Sequence, residues 1–565
     1  MRWLFVPVMA LALPATSSGD TPAEPGCPVG TGLMLVEAGG MGWAPAGLEP
    51  GALAGLDRSA IVGWARAWAV AYRAAGVDRV VLAPLAAEVS SWGAVEKVKP
   101  TPGKPFGRFD FFVLDAIVEA FDGDAVLVVS ARAAWDHAAG EAPKDRAAFK
   151  EYARPLRERY DGGDTSFGVA DNDDSYPDID GSGKVTSADF EASSEAKLAW
   201  ARAHRVAAFQ VETELLQPGG RDDYAKVFGD VMAVAEGVDV PIWLAPFPAT
   251  IPQADFAARV APLVGAGEDA PDAIVVSVAG AGADPTVAGA LDAVRKLLKS
   301  LANTGYSGDL LVGGASFGWR AGAGGCEERC DEAMQAEQAA KLIAGSAASG
   351  AKGLLYDGVL EKADDPTGAG LAAIDAGVAG ATPRRRPALA VARIVARALG
   401  PKSAETATKV ASTHAVRSAT CTGEEAAVVW YDWTLEVGPG QPYQDLVKRV
   451  SIDLPFDSVR SALLGPGTAF EPAKVEAAGG KADVTLGRTP VLLVSRQGGW
   501  PPPDSEPADG AQADGAGEDA APGGDGTGGS GGGGCGAPGA AAWPALLAAA
   551  AAAFAVSRRR RTFSS

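Results

Sequence analysis

The sequence predicts an α/β protein, a (β/α)8 TIM barrel followed by a small all-β sandwich. Three observations carry this. Between residues 33 and 358, eight short apolar runs alternate with amphipathic segments, the pattern of parallel strands joined by helices. From about residue 404 the pattern changes to β-rich runs punctuated by turn signals. The doubly wound alternative would need a glycine fingerprint after the first strand, and none is present.

The eight runs, in order, are LMLV (Leu33 to Val36), RVVLAP (Arg79 to Pro84), AVLVVS (Ala125 to Ser130), AAFQVE (Ala207 to Glu212), PIWLA (Pro241 to Ala245), AIVVSV (Ala273 to Val278), DLLVGG (Asp309 to Gly314) and GLLYDG (Gly353 to Gly358). Eight is the number that closes this barrel. Helical periodicity fills the intervals at 59–75, 112–121, 146–160, 187–203, 222–236, 254–264, 285–301 and 332–348. The barrel domain is therefore placed at 28–400, with a final helix over 387–399 that can cap it. The runs AAVVWYDWTLEV, KRVSIDL, KADVTL and TPVLLV place the β-sandwich at 404–497. Residues 498–534 are Pro, Gly, Ala and Asp with almost no large apolar side chains, so they read as a disordered linker.

The chain has 565 residues, 50 Lys plus Arg against 70 Asp plus Glu, a net charge of −20 and 3 His. That balance excludes a nucleic-acid partner, and three histidines give no His-rich metal centre. Both ends read as processing segments. Residues 1–17 form a signal peptide, with Arg2, an apolar core from Trp3 to Leu13 and small residues after it, so the protein is expected to be exported. At 535–565, glycine-flanked Cys535 precedes an Ala/Leu-rich span from Ala540 to Val556 and then Arg558 to Arg561. The span is long enough for a membrane, with its positive end held inside. These three parts resemble the MYXO-CTERM sorting signal of myxobacterial surface proteins. The resemblance implies a sorting protease as partner, processing at Cys535 and anchorage at the cell surface; a plain C-terminal transmembrane anchor is the alternative. Cys326 and Cys330, four apart in GGCEERCDE, are expected to form a disulfide in an exported protein, with a metal pair as the other reading.

The sharpest local motif is DIDGSGKVTSADF. Asp178, Asp180 and Ser182 fall at positions 1, 3 and 5 of an EF-hand loop, Gly183 at the turn, the Lys184 carbonyl at 7, Thr186 at 9 and Asp189 at 12. Every ligand position carries an oxygen donor, which suits structural Ca²⁺. Asp at position 12 is similar to dockerin-type loops, and the motif sits within 178–189, before the fourth strand.

In a barrel of this kind, chemistry sits at the C-terminal ends of the strands. The fourth run ends FQVETE, placing Glu212 and Glu214 on one face by period-two alternation. Several stretches resemble the retaining glycoside hydrolases of the large (β/α)8 clan: GRFDFFVLDAIVEAF, FKEYARPLRERYDG, FQVETE at the fourth strand, and ASFGW followed by QAEQAAKLI at the seventh. The resemblance covers roughly residues 30–497. It implies that Glu214 is the general acid/base, that Glu212 is a secondary candidate, and that Thr213 stands where the family has the Asn that bonds the sugar. The family nucleophile position falls on Ser316, which is a poor substitute for the second carboxylate that glycoside hydrolysis needs. Glu212, Asp357 and Glu361 are the nearby candidates for a displaced second carboxylate. Trp135, Trp319 and Tyr356, near strand ends, are candidates to contact a sugar. His137, His204 and His414 lack motif context and read as surface or packing residues. The expected function is a surface-anchored, hydrolase-like barrel that binds carbohydrate or polysaccharide and is catalytically degenerate. The alternative is an active glycosidase using Glu214.

Overall fold

The computed structural model describes residues 33–38, 56–83, 89–96, 109–138, 141, 143–163, 176–212, 221–235, 239–265, 270–278, 287–315, 332–356, 358–362, 371–374, 384–400, 403–406, 408–410, 412–419, 425–432, 447–454, 459–464, 473–487 and 489–495. All lie in one compact unit, Met1–Asp504. The signal segment, the linker, the C-terminal segment and all five cysteines, including Cys326, Cys330 and Cys535, fall outside the described residues. Among the described residues no helix is long and apolar enough to cross a membrane.

Eight parallel strands form the centre: β1 (Met34–Glu37), β2 (Arg79–Val81), β3 (Ala125–Val129), β4 (Ala208–Val211), β5 (Ile242–Leu244), β6 (Ala273–Ser277), β7 (Asp309–Ala315) and β8 (Ala351–Tyr356). Each pairs with its sequence neighbour; Trp243 meets Ala273 to join β5 to β6, and Met34 meets Gly353 to join β8 to β1. The sheet is therefore closed. Period-two alternation sorts the side chains into two layers. Val36, Val81, Val126, Val128, Trp243 and Leu355 fill the barrel interior, while Leu35, Val80, Leu127, Phe209 and Leu354 pack outward against the helices.

Among the described residues the longer helices are α1 (Arg58–Ala74), α2 (Phe112–Phe121), α3 (Arg146–Tyr160), α4 (Ser187–Ala192), α5 (Ser194–Ala203), α6 (Arg221–Met232), α7 (Val287–Ala302), α8 (Glu332–Ala348) and α9 (Pro387–Ala398). Two sequence expectations need correcting. The helix expected over 187–203 is broken at Ser193, whose extended backbone (φ −145°, ψ 109°) and side chain, accepting from Ala196 N–H, start a new helix. The helix expected over 254–264 is reduced to a short turn, Gln253–Asp255, running into a π-type turn at Phe256–Val260. The final helix, α9, begins with Pro387 at its first turn and packs beside α8; Ala396 accepts from Leu33 N–H at the foot of β1.

After β8 a small three-stranded sheet, β9 (Leu360–Lys362), β10 (Ala372–Ile374) and β11 (Arg384–Arg385), leads to α9. The C-terminal part is the expected sandwich. One sheet contains β12 (Ala404–Thr406), β13 (Thr413–Ala419), β14 (Glu425–Tyr431), β16 (Val459–Leu463) and β19 (Val491–Ser495); the other contains β15 (Lys448–Asp453), β17 (Val475–Ala478) and β18 (Lys481–Leu486). Ala427, Val429 and Tyr431 face the partner sheet, where they meet Val450, Ile452 and Val484. Ala426, Val428 and Trp430 face the other way, into the main barrel core. This is why AAVVWY reads as a continuous apolar run rather than an alternating one: both faces of β14 are covered.

Candidate functional site

Among the described residues, the C-terminal end of the barrel centres on Glu212, immediately after β4. Its backbone is left-handed (φ 64°), one of three non-glycine residues with positive φ among those described. Asp122, another of the three, is a helix C-cap, where this conformation is ordinary. At a barrel strand end it is unusual for a glutamate and is held by its surroundings. Gln210, buried two residues earlier, donates from Nε2 to the Glu212 carbonyl at 2.9 Å, and Glu212 N–H donates to Val129 O at 2.9 Å.

So held, the Glu212 side chain reaches across to the end of β3. Ala131 N–H donates to Oε1 at 2.6 Å and the Ser130 hydroxyl to Oε2 at 2.9 Å. Burial raises the carboxyl above the ordinary glutamate range, and these two donors oppose that only in part. The result is a desolvated carboxyl with neutral partners, able to keep a proton to higher pH than a surface glutamate.

Its walls are aromatic and hydroxylic. Tyr224 on α6 donates to Val211 O at 2.9 Å and accepts from Ala245 N–H at 3.1 Å, tying the end of β4 to that of β5. Tyr152 on α3 donates to Ser90 O, and Ser90 Oγ donates to Val128 O at 2.9 Å. Both phenols are pushed up, first by burial; the negative field of Glu212 adds to that in each. Trp135, four residues beyond Ala131, is half-buried. It meets Trp92 edge-on at 4.7 Å, and its indole N–H donates to Glu96 O at 2.9 Å. Trp92 in turn donates to the buried Glu96 carboxylate at 2.7 Å.

The sequence-derived candidates divide as follows. Glu212 and Trp135 lie on adjacent strand ends, joined through the Ala131 segment. Thr213, Glu214, Ser316, Trp319 and Asp357 lie outside the described residues, as does the Glu361 side chain on β9. Tyr356 is corrected: it alternates with Leu355, so it points outward with Leu354 and is fully buried in the layer between strands and helices. It presents no face to a ligand at the barrel mouth. Gln210, Ser130, Trp92, Tyr152 and Tyr224 were not singled out from sequence, because none belongs to a spaced motif. A recess of about 590 Å³ between residues 249–256 and α7 shares no residue with this cluster.

The calcium motif folds as a compact loop. Gly181 and Gly183 adopt positive φ (71° and 81°), and Asp178, Asp180 and Asp189 bring one carboxylate oxygen each within 4.8 Å of one another. Asp178 accepts from Ser182 and Gly183 N–H, and Asp180 accepts from Ser182 N–H at 2.8 Å. Asp189 accepts from Ile179 and Asp180 N–H on one oxygen and from Thr186 N–H and Oγ1 on the other, also forming the capping box of α4. These hydrogen bonds, the Asp180 N–H foremost, hold Asp189 below the usual carboxylate range. The donor set of hard oxygens fits Ca²⁺. Val185 anchors the loop in a small core with Tyr176, Phe190 and Trp200.

No protein-family model matches the sequence, and a search of curated proteins returns no match. Similar solved structures include a family 39 glycoside hydrolase from the gut symbiont Bacteroides cellulosilyticus WH2 (14% identity, TM-score 0.46, covering 78% of this chain and 78% of that one). Others are the catalytic domain of GH30 xylanase C from Talaromyces cellulolyticus (10%, 0.46, 82% and 96%) and the GH51 arabinofuranosidase from Xanthomonas axonopodis pv. citri (12%, 0.45, 75% and 88%). Likenesses this distant carry no argument about activity, and the closed eight-stranded parallel barrel stands on its own strand pairing.

Proposed function

We propose that this is an exported, surface-anchored barrel protein that binds carbohydrate at the C-terminal face of its barrel and does not hydrolyse it. The observation that carries the reading is the Glu212 cluster: a half-buried carboxyl hydrogen-bonded to the end of β3, the strand whose following segment carries half-buried Trp135, at the barrel face where such folds hold ligands. A carboxyl that accepts or donates to hydroxyls next to an aromatic face suits a sugar. The hydrolase-like motifs of the sequence support the same ligand class, and Ser316 in place of the nucleophile supports the loss of turnover. The alternative is an active glycosidase with Glu214 as acid/base and a displaced second carboxylate, for which Glu212 at the end of β4 is the described candidate.

The test is a panel of aryl glycosides and plant, fungal and bacterial polysaccharides, assayed for both hydrolysis and binding. Saturable binding without turnover is expected, weakened roughly fivefold by Trp135→Ala, on the order of 1 kcal/mol for one aromatic contact. Turnover that disappears in Glu214→Gln would establish the enzyme reading instead. Neither binding nor turnover on any member of the panel would overturn the carbohydrate reading itself.

We also propose that Asp178, Asp180, Ser182, Lys184, Thr186 and Asp189 hold a structural Ca²⁺. Its charge would offset the mutual repulsion of three clustered carboxylates and stiffen the loop that leads through α4 and α5 into β4. Calcium at about a hundred times its dissociation constant adds about 2.7 kcal/mol of stability. Thermal melting in calcium should therefore occur several degrees higher than in chelator, and Asp178→Ala should abolish the difference. Identical melting of the parent protein in both would reject the site. For the termini, the proposal is secretion by the N-terminal segment, processing at Cys535 by a sorting protease and membrane anchorage through the C-terminal segment. Cell fractionation of the parent and Cys535→Ser proteins is the test.

A further inference from the structure

The junction between the β-sandwich and the barrel holds a chain of charges of alternating sign. On α8, buried Glu337 and Lys341 pair at 2.6 Å, one helical turn apart. Lys341 Nζ also reaches Asp432 at 3.1 Å and donates to Tyr431 O at 3.3 Å, both at the end of β14. Asp432 Oδ2 lies 3.2 Å from Nε2 of His414 on β13, without an in-line hydrogen bond, and Nδ1 of the same ring lies 3.2 Å from Glu405 on β12. Glu405 returns to the barrel through Arg295 on α7 at 2.8 Å. Trp430 stacks on the His414 ring at 5.0 Å. The other nearby charges are engaged elsewhere: Arg417 lies 3.7 Å from Glu425 at the far end of the same two strands, and Lys448 lies over the Tyr431 ring.

Both ring nitrogens of His414 thus face carboxylates. A neutral imidazole has one N–H and would turn a lone pair toward one of them, whereas imidazolium donates at both. Three anions (Glu337, Asp432, Glu405) and three cations (Lys341, Arg295, His414) balance only when His414 is protonated. The chain is graded in exposure, from side chains 2–3% exposed at Glu337 and Lys341 to 21% at His414 and about 40% at Glu405, so protons reach the ring from the Glu405 side.

We propose that His414 is a proton-operated latch that fastens the β-sandwich to the helices returning from β6 and β7. Burial works against the charge on His414, but the close carboxylates of Asp432 and Glu405 outweigh it and hold the ring above its ordinary value. Asp432 is lowered despite burial, by His414 and Lys341, and Lys341 is raised despite burial, by Glu337 and Asp432. Because the folded-state value of His414 is raised, the latch contributes fully below the ordinary histidine value and is lost as pH rises through the raised one. Loosening is therefore alkaline, not acidic.

The chain contains 3 histidines, so a ¹³C-histidine-labelled full chain gives a readable imidazole titration, with His414→Gln assigning the signal. His414 is expected to titrate above about 6.5, the ordinary value, and Asp432→Asn to bring it down. Between pH 6 and pH 9 the parent protein should lose about 2–4 °C more in Tm than His414→Gln. Titration of His414 at or below the ordinary value, or equal pH slopes in parent and variant, would overturn the latch. If either variant fails to fold, His137→Gln and His204→Gln assign the third signal by difference, and its titration in the parent protein decides the matter.

Discussion

Replacing Arg159 with leucine is expected to destabilise the protein by about 3–5 kcal/mol, the cost of leaving one member of a buried ion pair alone. Arg159 on α3 grips Asp115 on α2 with two parallel bonds, Nε to Oδ1 at 2.7 Å and Nη2 to Oδ2 at 2.6 Å, and Tyr160 adds a third to Oδ1 at 2.7 Å. Neither charged side chain is more than 4% exposed. The guanidinium also lies 4.6 Å from the Trp200 ring centre and 5.4 Å from that of Phe111. Leucine would abandon the Asp115 carboxylate and both stacking partners in a space water does not reach. Since Trp200 also belongs to the small core under the acidic loop at 178–189, the lesion should spread to that loop. Equilibrium denaturation in urea measures the loss. The double variant Asp115→Leu, Arg159→Leu should recover much of it, because removing both charges removes the uncompensated one. If the double variant is no more stable than Arg159→Leu alone, the loss comes from packing and not from the stranded charge.

Glu37→Ala should cost a comparable amount, about 3–5 kcal/mol, for a different reason. Glu37 ends β1 on the outward side and is completely buried. Its Oε1 accepts from Gly358 N–H at 3.0 Å and Oε2 from Val359 N–H at 2.7 Å. These bonds clasp the turn after β8 to the end of β1, at the seam that closes the barrel. Alanine strands two buried backbone donors, each costing about 1–3 kcal/mol, and leaves a cavity as well. Glu37→Gln keeps one acceptor oxygen and should lose roughly half as much. Hydrogen exchange would localise the effect: the amides of 358–359 and of the β1–β8 pairing should lose protection before the rest of the barrel. Uniform loss of protection would mean that the clasp is not local to the seam.

Much of this architecture is legible in the sequence, because the signals concerned are local. Eight apolar runs of strand length, spaced by helical periodicity, report what each segment's backbone does, and the strands, with the helices other than those expected over 187–203 and 254–264, form close to where the runs place them. The acidic loop is legible for the same reason: its carboxylates lie within twelve residues, and one turn of chain brings Asp178, Asp180 and Asp189 together. Tyr356 shows where local reading stops. It stands at a strand end, but its direction depends on the parity set by Leu355 in the barrel interior, which register fixes and composition does not. Histidine-414 shows it more sharply. No motif surrounds it, and its significance comes from Glu405, Asp432 and Lys341, which approach from three separate elements.

The sequence by itself determined the barrel, the sandwich and the compact acidic loop at 178–189, since hydrophobic period and turn spacing act over a few residues. Tertiary structure alone decided the partners of Glu37, across 321 residues of chain, of Glu212, across 81, and of Lys341, across 90. A buried charge or polar group takes as partner whatever donor or acceptor closure of the barrel and docking of the sandwich bring to it, and that depends on register and packing summed over the whole chain.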